Sequence, residues 1–152
     1  MLAINNINQI TKSNKLKIAG AHLTNRQITD ISPLANLVNL EELYLNDNQI
    51  TDISPLVNLT NLECLHLGSN QIRDISPLAE LKKLNFLYLN NNQITDITPL
   101  AELIKLNSLY LGNNQIRDIS PLKNIRNTTN IINTANNPIM GDNALKCLEE
   151  MR

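Results

Sequence analysis

Few side chains in this sequence can do chemistry, and most of those fall on one interval. His22, Tyr44, His66, Tyr88 and Tyr110 are each 22 residues apart, and Cys64 and Phe86 lie two positions before His66 and Tyr88. Asp30, Asp52, Asp74, Asp96 and Asp118 keep the same interval. Cys64 and His66 together would make half a zinc site. His22, two strand spacings or roughly 10 Å from His66, is too far away to share an ion whose ligands lie at about 2.1 Å. As a nucleophile and base the Cys-His pair lacks a third group to orient it, and i and i+2 side chains on a strand run parallel on an open face. The aspartate column offers one carboxylate per step of about 4.8 Å, whereas calcium takes about six to eight oxygens. The expectation is therefore no metal, no cofactor and no catalysis. His66 could still tune binding through protonation near its ordinary pKa of about 6.5. Cys64, facing solvent, should be alkylated readily.

The elements that carry these residues follow from composition. The chain has 152 residues, a net charge of −1, and 26 Leu, 19 Ile and 26 Asn, with glycine scarce at four. Such a bias calls first for a search for repeats. Pro33, Pro55, Pro77, Pro99 and Pro121 are 22 residues apart, as are Asn48, Asn70, Asn92, Asn114 and Asn136. Five units start at Ile28, Ile50, Ile72, Ile94 and Ile116 and read I-x-D-I-[ST]-P-L-x-x-L-x-x-L-x-x-L-x-L-x-x-N-Q.

In each unit the L-x-x-L-x-L run predicts a short strand whose leucines, such as Leu40, Leu43 and Leu45, point inward. Stacking one turn on the next makes a parallel sheet with strands about 4.8 Å apart. The serine or threonine before each proline is a good helix cap, and proline suits the first helical position, so S-P-L-x-x-L predicts a short helical or 3₁₀ turn on the opposite face. Each asparagine of the column supplies two donors and an acceptor to the sharp bend after the strand, where backbone groups would otherwise stay unpaired inside the coil.

The run L-x-x-L-x-L-x-x-N resembles the leucine-rich repeat, and the 22-residue period with D-I-[ST]-P-L is similar to bacterial repeats of the internalin type. The resemblance implies an α/β solenoid: a horseshoe or arc with a parallel β-sheet on its concave face and short 3₁₀ or helical turns on its convex face. It covers residues 28–137 strongly and 16–27 weakly. The expected organisation is a single domain with an N-terminal cap and half-repeat over 1–27, five repeats over 28–137, and a C-terminal cap over 138–152. In the half-repeat Ile18, Ala21 and Leu23 stand for the strand leucines and Arg26 for the asparagine. In the last turn Thr128, Ile131 and Asn133 are expected where leucines stood, with Asn136 closing the column. Asp142 would cap a short helix in which Ala144, Leu145, Leu148 and Met151 share a face.

Function is left to the outward strand positions. They form three columns: Gly20, Glu42, Cys64, Phe86, Ser108, Asn130; then His22, Tyr44, His66, Tyr88, Tyr110, Ile132; then Thr24, Asn46, Gly68, Asn90, Gly112, Thr134. All four aromatic residues and both histidines fall in the first two. An aromatic strip on a concave sheet has the composition of a binding hot spot. It equally suits a ring ladder that steadies neighbouring turns. The expected partner-binding residues are Glu42, Tyr44, Asn46, Cys64, His66, Phe86, Tyr88, Asn90 and Tyr110. The strip carries one charge, Glu42, with Asp47 at its edge, so the implied partner is a protein with an apolar, hydrogen-bonding surface and one basic group.

Other readings are an interaction segment of a larger protein, an engineered repeat scaffold (against which the irregular caps argue), and a small-molecule or glycan binder, disfavoured by an open face. The near-neutral charge disfavours nucleic acid, and no run of about 18 apolar residues is present to span a membrane. The N-terminus lacks the pattern of a secretory signal, so the expectation is a cytoplasmic monomer. Without such a signal the triplets at Asn58 and Asn127 carry no glycan. Lys82, Lys83, Lys105, Arg73, Arg117, Lys123 and Arg126 scatter over convex and edge positions as a solvated surface.

Overall fold

Each Leu-x-Leu pair can bury its side chains only against the turns before and after it, and this arranges the chain as a coil of stacked turns. A computed structural model describes residues 20–126 and 128–140 of this coil. Six three-residue strands, β1 (Gly20–His22), β2 (Glu42–Tyr44), β3 (Cys64–His66), β4 (Phe86–Tyr88), β5 (Ser108–Tyr110) and β6 (Ile131–Asn133), form one parallel sheet in chain order. Register follows the period, with Glu42 beside Cys64 and Tyr44 beside His66, through to Tyr88 beside Tyr110. The seven inward positions of a turn, for example Ile50, Ile53, Leu56, Leu59, Leu62, Leu65 and Leu67, are all buried, and they join those of neighbouring turns in one core. The helix expected around Asp142 and Leu145, and Ile18 of the half-repeat, lie outside the described residues.

The convex turns are 3₁₀ segments of the S-P-L type, as at Ser54–Leu56, but the hydroxyl does not cap them. Isoleucine occupies the cap position, and no side-chain cap bond is made there. The aspartate two residues before each serine or threonine does the work instead. Asp52 Oδ1 accepts the Ser54 backbone N–H at 2.8 Å, while Ser54 Oγ donates to Asp52 Oδ2 at 3.0 Å. Backbone and hydroxyl donors hold the carboxyls of Asp30 and Asp118 below the usual range, and the Thr98 hydroxyl and N–H do the same for Asp96. The column is thus a set of local turn staples.

The asparagine column closes the other corner. Asn92 Nδ2 donates to the carbonyls of Leu67 (3.0 Å), Leu89 (3.1 Å) and Asn90 (3.3 Å), and Asn92 Oδ1 accepts the Ile72 N–H (3.0 Å). Asn48, Asn70 and Asn114 repeat the pattern toward the turns before them.

The last turn departs from the expected register by one residue. β5 pairs Ser108 with Ile131, Leu109 with Ile132 and Tyr110 with Asn133. Ile131 and Asn133 therefore face outward in place of Asn130 and Ile132. Asn137, not Asn136, completes the ladder, accepting the Ile116 N–H and donating to the Leu111 and Thr134 carbonyls. Thr129, Ile132 and Thr134 take the inward positions expected of Thr128, Ile131 and Asn133. The extra residue is absorbed on the convex side. There Arg126 N–H bonds the Leu122 carbonyl and Thr129 N–H bonds Ile125, both four residues back. The preceding turn uses three-residue spacings, as in Leu103 to Leu100 and Leu106 to Leu103. The widened turn brings Ile132 against the core and leaves the Asn133 carboxamide in water, whereas the unslipped register would bury that polar group.

Candidate functional site: the concave aromatic strip

Strand phase sends residues 42, 44, 64, 66, 86, 88, 108 and 110 to the face opposite the core, and in-register pairing stacks equivalent side chains. His22, Tyr44, His66, Tyr88 and Tyr110 form one continuous column of rings, with centroids 4.3, 4.6, 3.9 and 4.7 Å apart in order. Three of the four contacts are near-parallel stacks, and only Tyr44–His66 is tilted, by 34°. The Tyr44 ring lies between the two imidazoles, so the histidines cannot converge on one ion. Among the described residues, no group of three or more His, Cys, Asp or Glu could hold a metal.

At the start of the strip Glu42, Tyr44 and Cys64 form a chain. Tyr44 Oη donates to Glu42 Oε2 at 3.1 Å, and Cys64 Sγ lies 3.9 Å from Tyr44 Oη. The Cys64 sulfur, then burial, then the Glu42 carboxylate push the Tyr44 phenol up to about 12. Cys64 has the outward phase expected, but it is half-buried and burial pushes its thiol up. A thiol held protonated in this way reacts more slowly than an exposed one, contrary to ready alkylation. Phe86 stands beside the strip, 39% exposed, while Ser108 in the same column is buried. Asn46 is tied by Thr24 Oγ1 at 3.0 Å and donates to Asp47 Oδ2 at 2.6 Å. Asn46 and Asn90 also flank a shallow hollow of about 240 Å³ over Gly68, lined by Asp47, His66, Ser69 and Tyr88. The outward columns carry the expected residues on this face, and Asp47 lies at its edge as expected; Ser69 is the addition. Its departure from the asparagine found at the same step in Asn91 and Asn113 is the signal in the sequence.

Burial outweighs the opposing pull of Glu42 and lowers the pKa of His66 from its ordinary 6.5, so its proton is taken up in more acid solution than the sequence suggests. The unfolded chain then binds this proton first. The His66 contribution to stability is complete above about pH 6.5 and declines as pH falls through the lower folded-state value. A ¹H NMR titration of the imidazole is expected to show a midpoint below 6.5, and replacing Tyr88 with alanine, which uncovers one ring face, should move it upward.

The family model for leucine-rich repeats (two copies) matches residues 21–58, 38–80 and 82–124. The chain belongs to the leucine-rich-repeat family, whose domains typically serve protein interaction. Its repeats are internalin-like. A solved internalin (inlF) of Listeria monocytogenes is 37% identical over 95% of this chain and 45% of its own, with a TM-score of 0.85. Internalin C2 of the same organism is 53% identical over 72% of this chain and 47% of its own, at 0.68. A Leptospira interrogans leucine-rich-repeat protein is 28% identical over 81% of this chain and 32% of its own, at 0.71. The chain thus spans less than half the length of these relatives. No curated protein matches it.

Proposed function

We propose that this domain is a non-catalytic recognition module that docks a protein partner on its concave face. The observation that supports it most is the placement of all four aromatic residues and both histidines on the sheet face that the core does not use. Leucine and isoleucine already fill the interior, so the rings are not needed there. Stacking satisfies the ring faces and also steadies the turns. What remains for a partner is a row of ring edges, the exposed Phe86 ring, and hydroxyls. Among the described residues, those of Tyr88 and Tyr110 make no hydrogen bond within the chain. A flat row of this kind suits a protein surface better than a small ligand, which needs enclosure. A net charge of −1 favours a protein over a nucleic acid.

The test compares wild type with a Tyr44→Ala, Tyr88→Ala, Tyr110→Ala variant, its fold confirmed by circular dichroism, in pull-downs from host lysate. The expected result is a protein retained by the wild type and reduced at least about a hundredfold by the variant, the range for losing two or more aromatic hot spots. Equal retention by both would leave the rings as a stabilising ladder alone.

A further inference from the structure

The repeats are close to regular, so the places where they break their own pattern are informative. Two such breaks meet beside a glycine. Gly68, like Gly112 in the same third outward column, leaves room between longer side chains, here Asn46 and Asn90. No backbone demand explains it, because its φ lies outside the left-handed range and Thr24 occupies the equivalent place beside Asn46, bonded to it at 3.0 Å. The breaks are Asp47 and Ser69. They sit at the left-handed step of the turn (φ 58° and 55°), where Asn25, Asn91, Asn113 and Asn136 are found. Serine is less at ease there than asparagine, and aspartate adds the only charge of that series.

The three residues line the hollow over Gly68, with the Asn46 and Asn90 carboxamides at its sides and His66 and Tyr88 behind. Its lining holds the Asp47 carboxylate, the Asn46 and Asn90 carboxamides, the Ser69 and Tyr88 hydroxyls and the His66 imidazole, and no lysine or arginine. Among the described residues no lysine or arginine is bonded to Asp47, whose carboxylate takes only the Asn46 amide. At about 240 Å³ the hollow is smaller than pockets for drug-sized molecules, roughly 300–1,000 Å³, and is open on one side. It has the size for one side chain.

We propose that this notch receives an arginine side chain of the protein partner, the guanidinium pairing with Asp47 and donating to the Asn90 carbonyl. The proposal rests on the concave-face reading above and names the charged contact within it. A planar fork with five donors matches a carboxylate beside an amide oxygen better than an ammonium does.

The domain's own repeats supply folded controls. Asp47→Asn places there the residue that Asn91 and Asn113 carry at the same step. Gly68→Thr copies the Thr24–Asn46 arrangement, and the three atoms nearest the added β-carbon all belong to the Asn90 carboxamide, at 3.0 to 3.3 Å, which must shift slightly to admit it. The probe is N-acetyl-arginine methylamide, titrated into the ¹⁵N-labelled protein, with the citrulline analogue as its uncharged counterpart. The expected result is saturable shifts of the Asp47, Gly68 and Ser69 amides with the arginine probe only. They should weaken about fivefold in Asp47→Asn, the range of a good exposed ion pair, and vanish in Gly68→Thr. Equal response to citrulline, no response, or a response unchanged in both variants would overturn the notch. The probe needs no partner, so its outcome is separate from that of the tyrosine pull-down.

Discussion

Replacing Asn92 with alanine is expected to destabilise the array by roughly 2–4 kcal/mol. The substitution orphans the buried Ile72 N–H and removes one of two asparagine donors from each of the Leu67 and Leu89 carbonyls, which keep Asn70 and Asn114. An orphaned buried group costs about 1–3 kcal/mol and each lost second hydrogen bond about 0.5–1.5 kcal/mol at most. For a chain of this size the melting midpoint should fall by about 10 °C, measured by circular dichroism. The companion pair tests the register slip. Asn137→Ala should destabilise the more, since its side chain bonds Ile116, Leu111 and Thr134, whereas Asn136→Ala loses an exposed bond to Asn113 and sets alanine at a left-handed step, a cost of about 1 kcal/mol. An Asn92→Ala midpoint equal to wild type, or a reversed order of the pair, would defeat the ladder assignment.

The second large effect is expected at Leu87. Its side chain is fully buried at the centre of β4, with Leu65 and Leu109 beside it in register. Leu87→Ala should cost about 2–5 kcal/mol, the lost transfer energy plus a cavity that the clamped turns cannot collapse. Urea unfolding is the measurement. Phe86→Ala, one residue away and facing outward, should cost under about 1 kcal/mol. Comparable losses at the two positions would mean that the strand phase is wrong.

Much of this was legible because the leucine and tyrosine columns carry the same information twice. Leu43, Leu65, Leu87 and Leu109 set the inward phase, and Tyr44, His66, Tyr88 and Tyr110 then had to face outward. The slip in the last turn was hidden by doublets. Thr128–Thr129, Ile131–Ile132 and Asn136–Asn137 offer an acceptable residue at either spacing, so counting could not choose. The choice lies in whether Ile132 or Asn133 enters the core, a matter of desolvation. The convex caps were misassigned for a related reason. Serine before proline looks like a cap, but the i to i+2 reach of the aspartate takes the backbone donor first. The notch over Gly68 depends on depth, which a column of letters does not convey.

Every asparagine of the ladder reaches back almost one lap: Asn92 bonds Ile72, the first residue of its own written repeat, and Leu67 of the repeat before, and Asn137 bonds Ile116 and Leu111 in the same way. Each corner, from the end of one strand to the isoleucine that opens the next repeat, is therefore clasped by an asparagine one lap further on. The written boundary falls inside that corner, between Gln71 and Ile72, so a cut there parts the Leu67 carbonyl from Asn92. Grafts and truncations that keep the corner whole would carry it together with the following asparagine.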